Sequence, residues 1–115
     1  MSSAITETPE NKNSLPDNIF LYHQNQFYEF IKETCAADLA ELLRFQAIRN
    51  AMHLLDTSCD DILLILQQES EEIHILKKMC CFEIAGHKHQ VKLGVRLTVN
   101  NLIQSLKLKR EQQQK

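Results

Sequence analysis

Near the end of the chain Val95, Val99, Leu102 and Leu106 follow one another at offsets of 0, 4, 7 and 11. That spacing is the apolar stripe of an amphipathic helix, and it obliges the end of the chain to bury one side against something else. Gly94 precedes the stripe and Ile103-Gln104-Ser105-Leu106-Lys107 closes it. The spacing predicts a long final helix from Val95 to about Lys109. The remainder of the chain can supply helical partners. It has only two glycines and two prolines in 115 residues, with abundant Leu, Ile, Ala, Glu, Gln and Lys. Such a composition favours helix, and such a length allows one domain rather than two.

Met1 to Asn18 is polar, contains Pro9 and Pro16, and reads as a disordered tail. A single helical domain is expected over residues 19–109, with residues 110–115 as a frayed polar end. Within the domain, Phe20, Phe27 and Ile31 fit one helical face with Phe30 beside them, and these aromatics read as core. A bend at Cys35-Ala36-Ala37 leads to a second helix capped by Asp38 and running through Phe45, with Leu39, Leu42 and Leu43 inward. Ile48, Ala51, Met52 and Leu55 predict a third helix across Gln46 to Leu55.

Ser58 with Asp61 three residues later resembles a capping box, so a helix should follow. Its run Ile62-Leu63-Leu64-Ile65-Leu66 is apolar on every side, as in a buried helix; periodicity alone would also allow a strand. Ser70-Glu71-Glu72 opens a further helix with Ile73, Leu76 and Cys80 on one side. Phe82-Glu83-Ile84 and Gln90-Val91-Lys92-Leu93 then alternate apolar and polar around Gly86-His87-Lys88-His89. This stretch reads as a small hairpin or an irregular loop. The expected fold is mainly α: a bundle of five to six helices with a long C-terminal helix and a short β-hairpin insert.

Charge divides the chain. Residues 1–83 hold 6 Lys/Arg against 14 Asp/Glu, whereas residues 84–115 hold 7 against 1. A basic end of this kind suits an acidic partner surface, a second copy of the chain, or nucleic acid. The longest wholly apolar run has five residues, far short of the ~20 that span a bilayer. With no apolar leader segment, the expected location is intracellular, in nucleus or cytoplasm, and the four cysteines are expected to be thiols.

Sites for chemistry are few. Cys80-Cys81 with His87 and His89 is the one constellation with metal-ligand residue types. Adjacent cysteines are hard to aim at one ion, and His-x-His is tighter than the usual zinc pair. No nucleophile elbow or phosphate-binding glycine loop occurs, and Asp60-Asp61 is better explained as a helix cap than as a catalytic pair. The expectation is a non-enzymatic protein without cofactor or metal. For nucleic acid, Lys88, Lys92 and Arg96 lead into the final helix and Lys107, Lys109 and Arg110 leave it. No aromatic residue interrupts these lysines in sequence to stack on bases.

The pattern Ile48-Arg49-Asn50-Ala51-Met52-His53-Leu54-Leu55, with Asp56-Thr57 and Asp60-Asp61-Ile62 after it, resembles the middle of a sterile alpha motif (SAM) domain. Gly94-Val95-Arg96-Leu97-Thr98-Val99 resembles the start of that family's last helix. The likeness covers roughly residues 27–107, with a longer stretch from Gln67 to Leu93 than the family's usual link. It implies a helical module for protein association, often of like with like. In the family's head-to-tail mode an acidic mid-domain surface meets the start of the last helix. Carried over, Asp56, Asp60 and Asp61 form the acidic side, and Lys92, Arg96 and Leu97 the basic one. Leu97 lies off the buried stripe, as an anchor for a small contact should. Some members bind RNA through the same basic helix start, which leaves a nucleic-acid reading open.

Overall fold

The computed structural model describes residues 15–86 and 88–113. Residues 1–14 of the expected tail, His87 of the expected turn, and residues 114–115 of the expected frayed end lie outside the described residues. The described chain is mainly helical, with six α-helices and one two-stranded antiparallel hairpin. Packing begins before Ile19: Leu15 is buried in the core, and a 3₁₀ turn over Ile19–Leu21 buries Ile19 completely.

Helix α1 spans Asn25–Thr34 and buries Phe27, Tyr28 and Ile31. Phe20 does not share this helix, because the chain turns at Gln24, whose φ of 52° is unfavourable for a side chain. The turn is fastened by a bridge between His23 and Asn50 and by the Gln24 N–H donating to the Arg49 carbonyl at 2.8 Å. Tyr22 returns edge-on to Phe30 at 5.9 Å.

Helix α2 spans Ala37–Phe45 and buries Leu39, Ala40, Leu42 and Leu43. Its N-cap is Ala36, not Asp38. Asp38 sits inside the first turn, where its charge favours the positive helix end. The helix stops in a Schellman arrangement. Ile48 N–H donates to the Leu43 carbonyl and Ala47 N–H to the Arg44 carbonyl, with Ala47 at φ 60°. That stop shortens the third helix from the expected Gln46–Leu55 to α3, Ala51–Leu55. Asn50 caps it by accepting from the His53 N–H at 2.9 Å, while His53 Nδ1 accepts from the Arg49 N–H.

Ser58 caps α4, Cys59–Leu64, by accepting from the Asp61 N–H at 3.1 Å, and a 3₁₀ turn over Ile65–Gln67 extends it. The all-round apolar run is therefore helical. It is buried at Ile62, Leu63 and Leu66, but Leu64 faces outward and is 53% exposed. Ser70 caps α5, Glu71–Cys80, in the same way, and Ile73, Leu76 and Cys80 turn inward.

Strand β1, Cys81–Ile84, leaves α5 directly and pairs antiparallel with β2, Lys88–Val91. The register sets Cys81 opposite Val91, Phe82 opposite Gln90, and Ile84 opposite Lys88. A lone hairpin is marginal in water, and burial of Cys81 against the core anchors this one. The Lys92 N–H donates to the Cys80 carbonyl at 2.9 Å and turns the chain into α6, Leu93–Gln113. The stripe Val99, Leu102 and Leu106 is buried as expected, joined by Ile103, while Val95 packs at the core's margin.

α6 continues past Lys109 because its end is tied down. Lys109, itself buried, donates to Asp17 at 2.8 Å, and the Gln113 side chain donates to the Asp17 carbonyl. The helix is therefore clamped to the segment that the sequence assigned to the tail. Among the described residues no helix is long and apolar enough to cross a membrane.

Candidate interaction surface

The first turns of α6 concentrate the residues that the sequence singled out. Leu93 and Leu97, one turn apart on the same face, are 68% and 50% exposed. Lys92 is exposed immediately before the helix, and Lys88 is exposed on the adjoining strand β2. Side chains four residues apart on a helix are neighbours, so the two leucines form one apolar knob next to Lys92. Leu93 belongs to this knob rather than to a strand. Its i,i+4 spacing from Leu97 was visible in the sequence, but the alternating run before it masked the signal.

Arg96 is not a free member of that basic group. Its Nη1 donates to Asp60 Oδ1 at 2.8 Å, because α4 packs against the start of α6. Cys59 Sγ lies 3.7 Å from the Arg96 carbonyl and stitches the same two helices. The acidic and basic sides expected to meet between molecules are thus joined within one molecule at Asp60 and Arg96. Asp61 stays exposed in the capped first turn of α4, and Asp56 is exposed at the end of α3. Lys107 lies ten residues beyond Leu97, about 15 Å along the helix, and does not share the surface.

A cleft of about 380 Å³ opens where α4, β2 and α6 meet, with Asp60, Arg96, Leu64 and His89 among its walls. It holds the ion pair, and Cys81 and His89 line it as well. The thiols are poor nucleophiles. Desolvation raises the pKa of Cys35, Cys59 and Cys81 above the usual thiol value and pushes Cys80, fully buried, up to about 12. Among the described residues no three His, Cys, Asp or Glu side chains gather to hold a metal.

Three features escaped sequence reasoning. Lys77 is buried against Glu69 at 2.9 Å, Lys109 is buried against Asp17, and Ile75 is 60% exposed. Lysine stems bury readily when the ammonium keeps a partner, but that partner lies far away in sequence for Lys109 and outside the helix for Lys77. Comparison with protein-family models, with curated proteins and with solved structures gave no match to this chain.

Proposed function

We propose that this chain is a non-catalytic, SAM-like helical module that mediates protein association, acting as a scaffold or regulator inside the cell. The observation that carries this reading is the exposed Leu93–Leu97 knob at the start of α6, with Lys92 immediately before it. An apolar anchor with a charged rim is the usual anatomy of a small protein contact: the charges steer the encounter and the buried leucines hold it. The neutral, desolvated thiols suit a reducing compartment.

Sedimentation velocity of the wild type beside Leu97→Glu tests the reading. Self-association that rises with concentration, and is lost in the variant with unchanged circular dichroism, supports it. A wild type that stays monomeric at every concentration rejects its homotypic form.

One observation favours the nucleic-acid alternative. The strand register puts Phe82, 48% exposed, on the same sheet face as Lys88, so an aromatic ring does stand beside the basic group. Binding of a single-stranded RNA oligonucleotide at low salt, lost in Phe82→Ala, would replace the association reading with this one.

A further inference from the structure

Ile75 is 60% exposed in the middle of α5 and forms a ridge between two hollows. On the α2 side an open groove of about 440 Å³ is walled by Phe45, Leu76 and Met79, with Phe45 39% exposed. On the other side a second hollow runs along Ser70, Glu71 and His74. A single surface isoleucine is ordinary, but this one adjoins further apolar surface at Phe45 and Met79.

The charges on this face change sign about Ile75. Glu71 stands before it and Lys78 after it, two turns apart on one stripe of the helix. Glu72 and Met79 form the neighbouring stripe, towards α2. Glu71, Glu72 and Lys78 are exposed, and among the described residues none of the three makes an ion pair. The cations around them are already engaged. Lys77 is buried against Glu69, and Arg44 lies 3.9 Å from Glu41 with its guanidinium 4.5 Å over the Tyr28 ring.

We propose that α5 pairs antiparallel with α5 of a second copy about a two-fold axis at Ile75. The occupant is argued from charge: the order Glu71, Ile75, Lys78 is complementary to its own reverse. Turned end for end, the second helix sets Ile75 against Ile75 and brings Glu71 of each copy opposite Lys78 of the other. Both ion pairs form on the flank away from α2, while Phe45 and Met79 of the two copies close the flank towards it. The acidic first turn of each helix then lies beside the basic last turn of the other, which the helix dipoles also favour. A parallel arrangement would set Glu71 against Glu71 and Lys78 against Lys78. The same patch meets itself, so the contact closes at a dimer. One ten-residue helix from each copy makes a contact below the ~1,200 Å² of a standard interface, so the dimer is weak. It uses none of Lys92, Leu93 and Leu97, and so goes beyond the surface proposed above without depending on it.

The test uses the full chain carrying Leu97→Glu, which silences the knob. Sedimentation equilibrium at rising concentration reads association, and circular dichroism confirms folding. This protein should still dimerise, and adding Ile75→Glu should weaken the dimer at least roughly 30-fold, the loss typical of removing a buried anchor. Adding Glu71→Lys alone, or Lys78→Glu alone, should weaken it roughly tenfold, because both attractive pairs become repulsive. Mixing those two variants should restore association, and so should placing both changes in one chain, because opposite charges face each other again. A loss of helix stability could not produce that recovery, so its absence would overturn the pairing. If Leu97→Glu is monomeric at every concentration while the wild type assembles, the α5 contact falls and the knob stands. If the wild type assembles no further than the Leu97→Glu dimer, the α5 contact stands and the knob falls.

Discussion

Replacing Ala47 by glycine should make this protein more stable, which is the reverse of what the same change does inside a helix. Ala47 holds φ at 60°, past the end of α2, where it donates to the Arg44 carbonyl in the Schellman stop. A side chain in the left-handed region costs about 1–2 kcal/mol, which glycine avoids. Against this, glycine loses more backbone freedom on folding, by about 0.5–1 kcal/mol. The balance is a gain of about 0.5–1 kcal/mol, or a melting temperature higher by about 3–6 °C for a domain of this size. Ala47 is exposed, so no packing is lost. Urea titrations and thermal melts followed by circular dichroism measure the difference. Were Gln46–Leu55 one continuous helix, Ala47 would lie in its first turn with ordinary helical dihedrals, and glycine would cost up to about 1 kcal/mol. A lower midpoint in Ala47→Gly would therefore refute the Schellman stop and the short α3 together.

Other outcomes follow from the same geometry. A double-mutant cycle on Asp60→Ala and Arg96→Ala should give a coupling of about 0.2–1 kcal/mol that shrinks in high salt, because the Asp60 side chain is 87% exposed; a coupling above about 2 kcal/mol would mean the pair is far better shielded. Lys109 holds Asp17 below its usual carboxylate value of 3.8, so the stability this pair contributes is present above that value and lost as pH falls through the lower folded value. Asp17→Asn should flatten that acid limb of an unfolding-midpoint profile, and an unchanged limb would contradict the clamp. Burial holds the Cys80 thiol neutral up to about 12, whereas an unfolded thiol ionises near 9.0, so stability should fall as pH rises through that window and Cys80→Ala should lessen the fall. Iodoacetamide should label Cys80 only slowly in the native protein and readily in urea, with mass spectrometry as the readout.

Local signals located most of the helices. Ser58 and Ser70 both cap as the sequence indicated, because a hydroxyl two or three residues before a free N–H satisfies it whatever the rest of the chain does. The stripe on α6 is buried for a similar reason: its period is a property of the segment alone. Errors arose where a neighbour decided the outcome. α3 is short because α2 ends in a Schellman turn, and Phe20 leaves the first helix because Gln24 is drawn to Arg49. Leu64 is exposed although its apolar run suggested complete burial, since it borders the open cleft between α4, β2 and α6.

For the candidate surface the division is sharper. Sequence alone determined that the chain is helical, that its basic residues gather in the last third, and that Leu97 lies off the buried stripe of its helix. All three depend on residue type and near spacing. Only the tertiary structure decided which of those charges is available. It spends Arg96 on Asp60, buries Lys109 against Asp17, and leaves Lys92 exposed beside two exposed leucines. It also opens an apolar groove between α2 and α5, helices separated by 25 residues of chain. A charge is visible in the sequence, but its partner is set by distance in space, which 36 residues separate in one pair and 92 in the other.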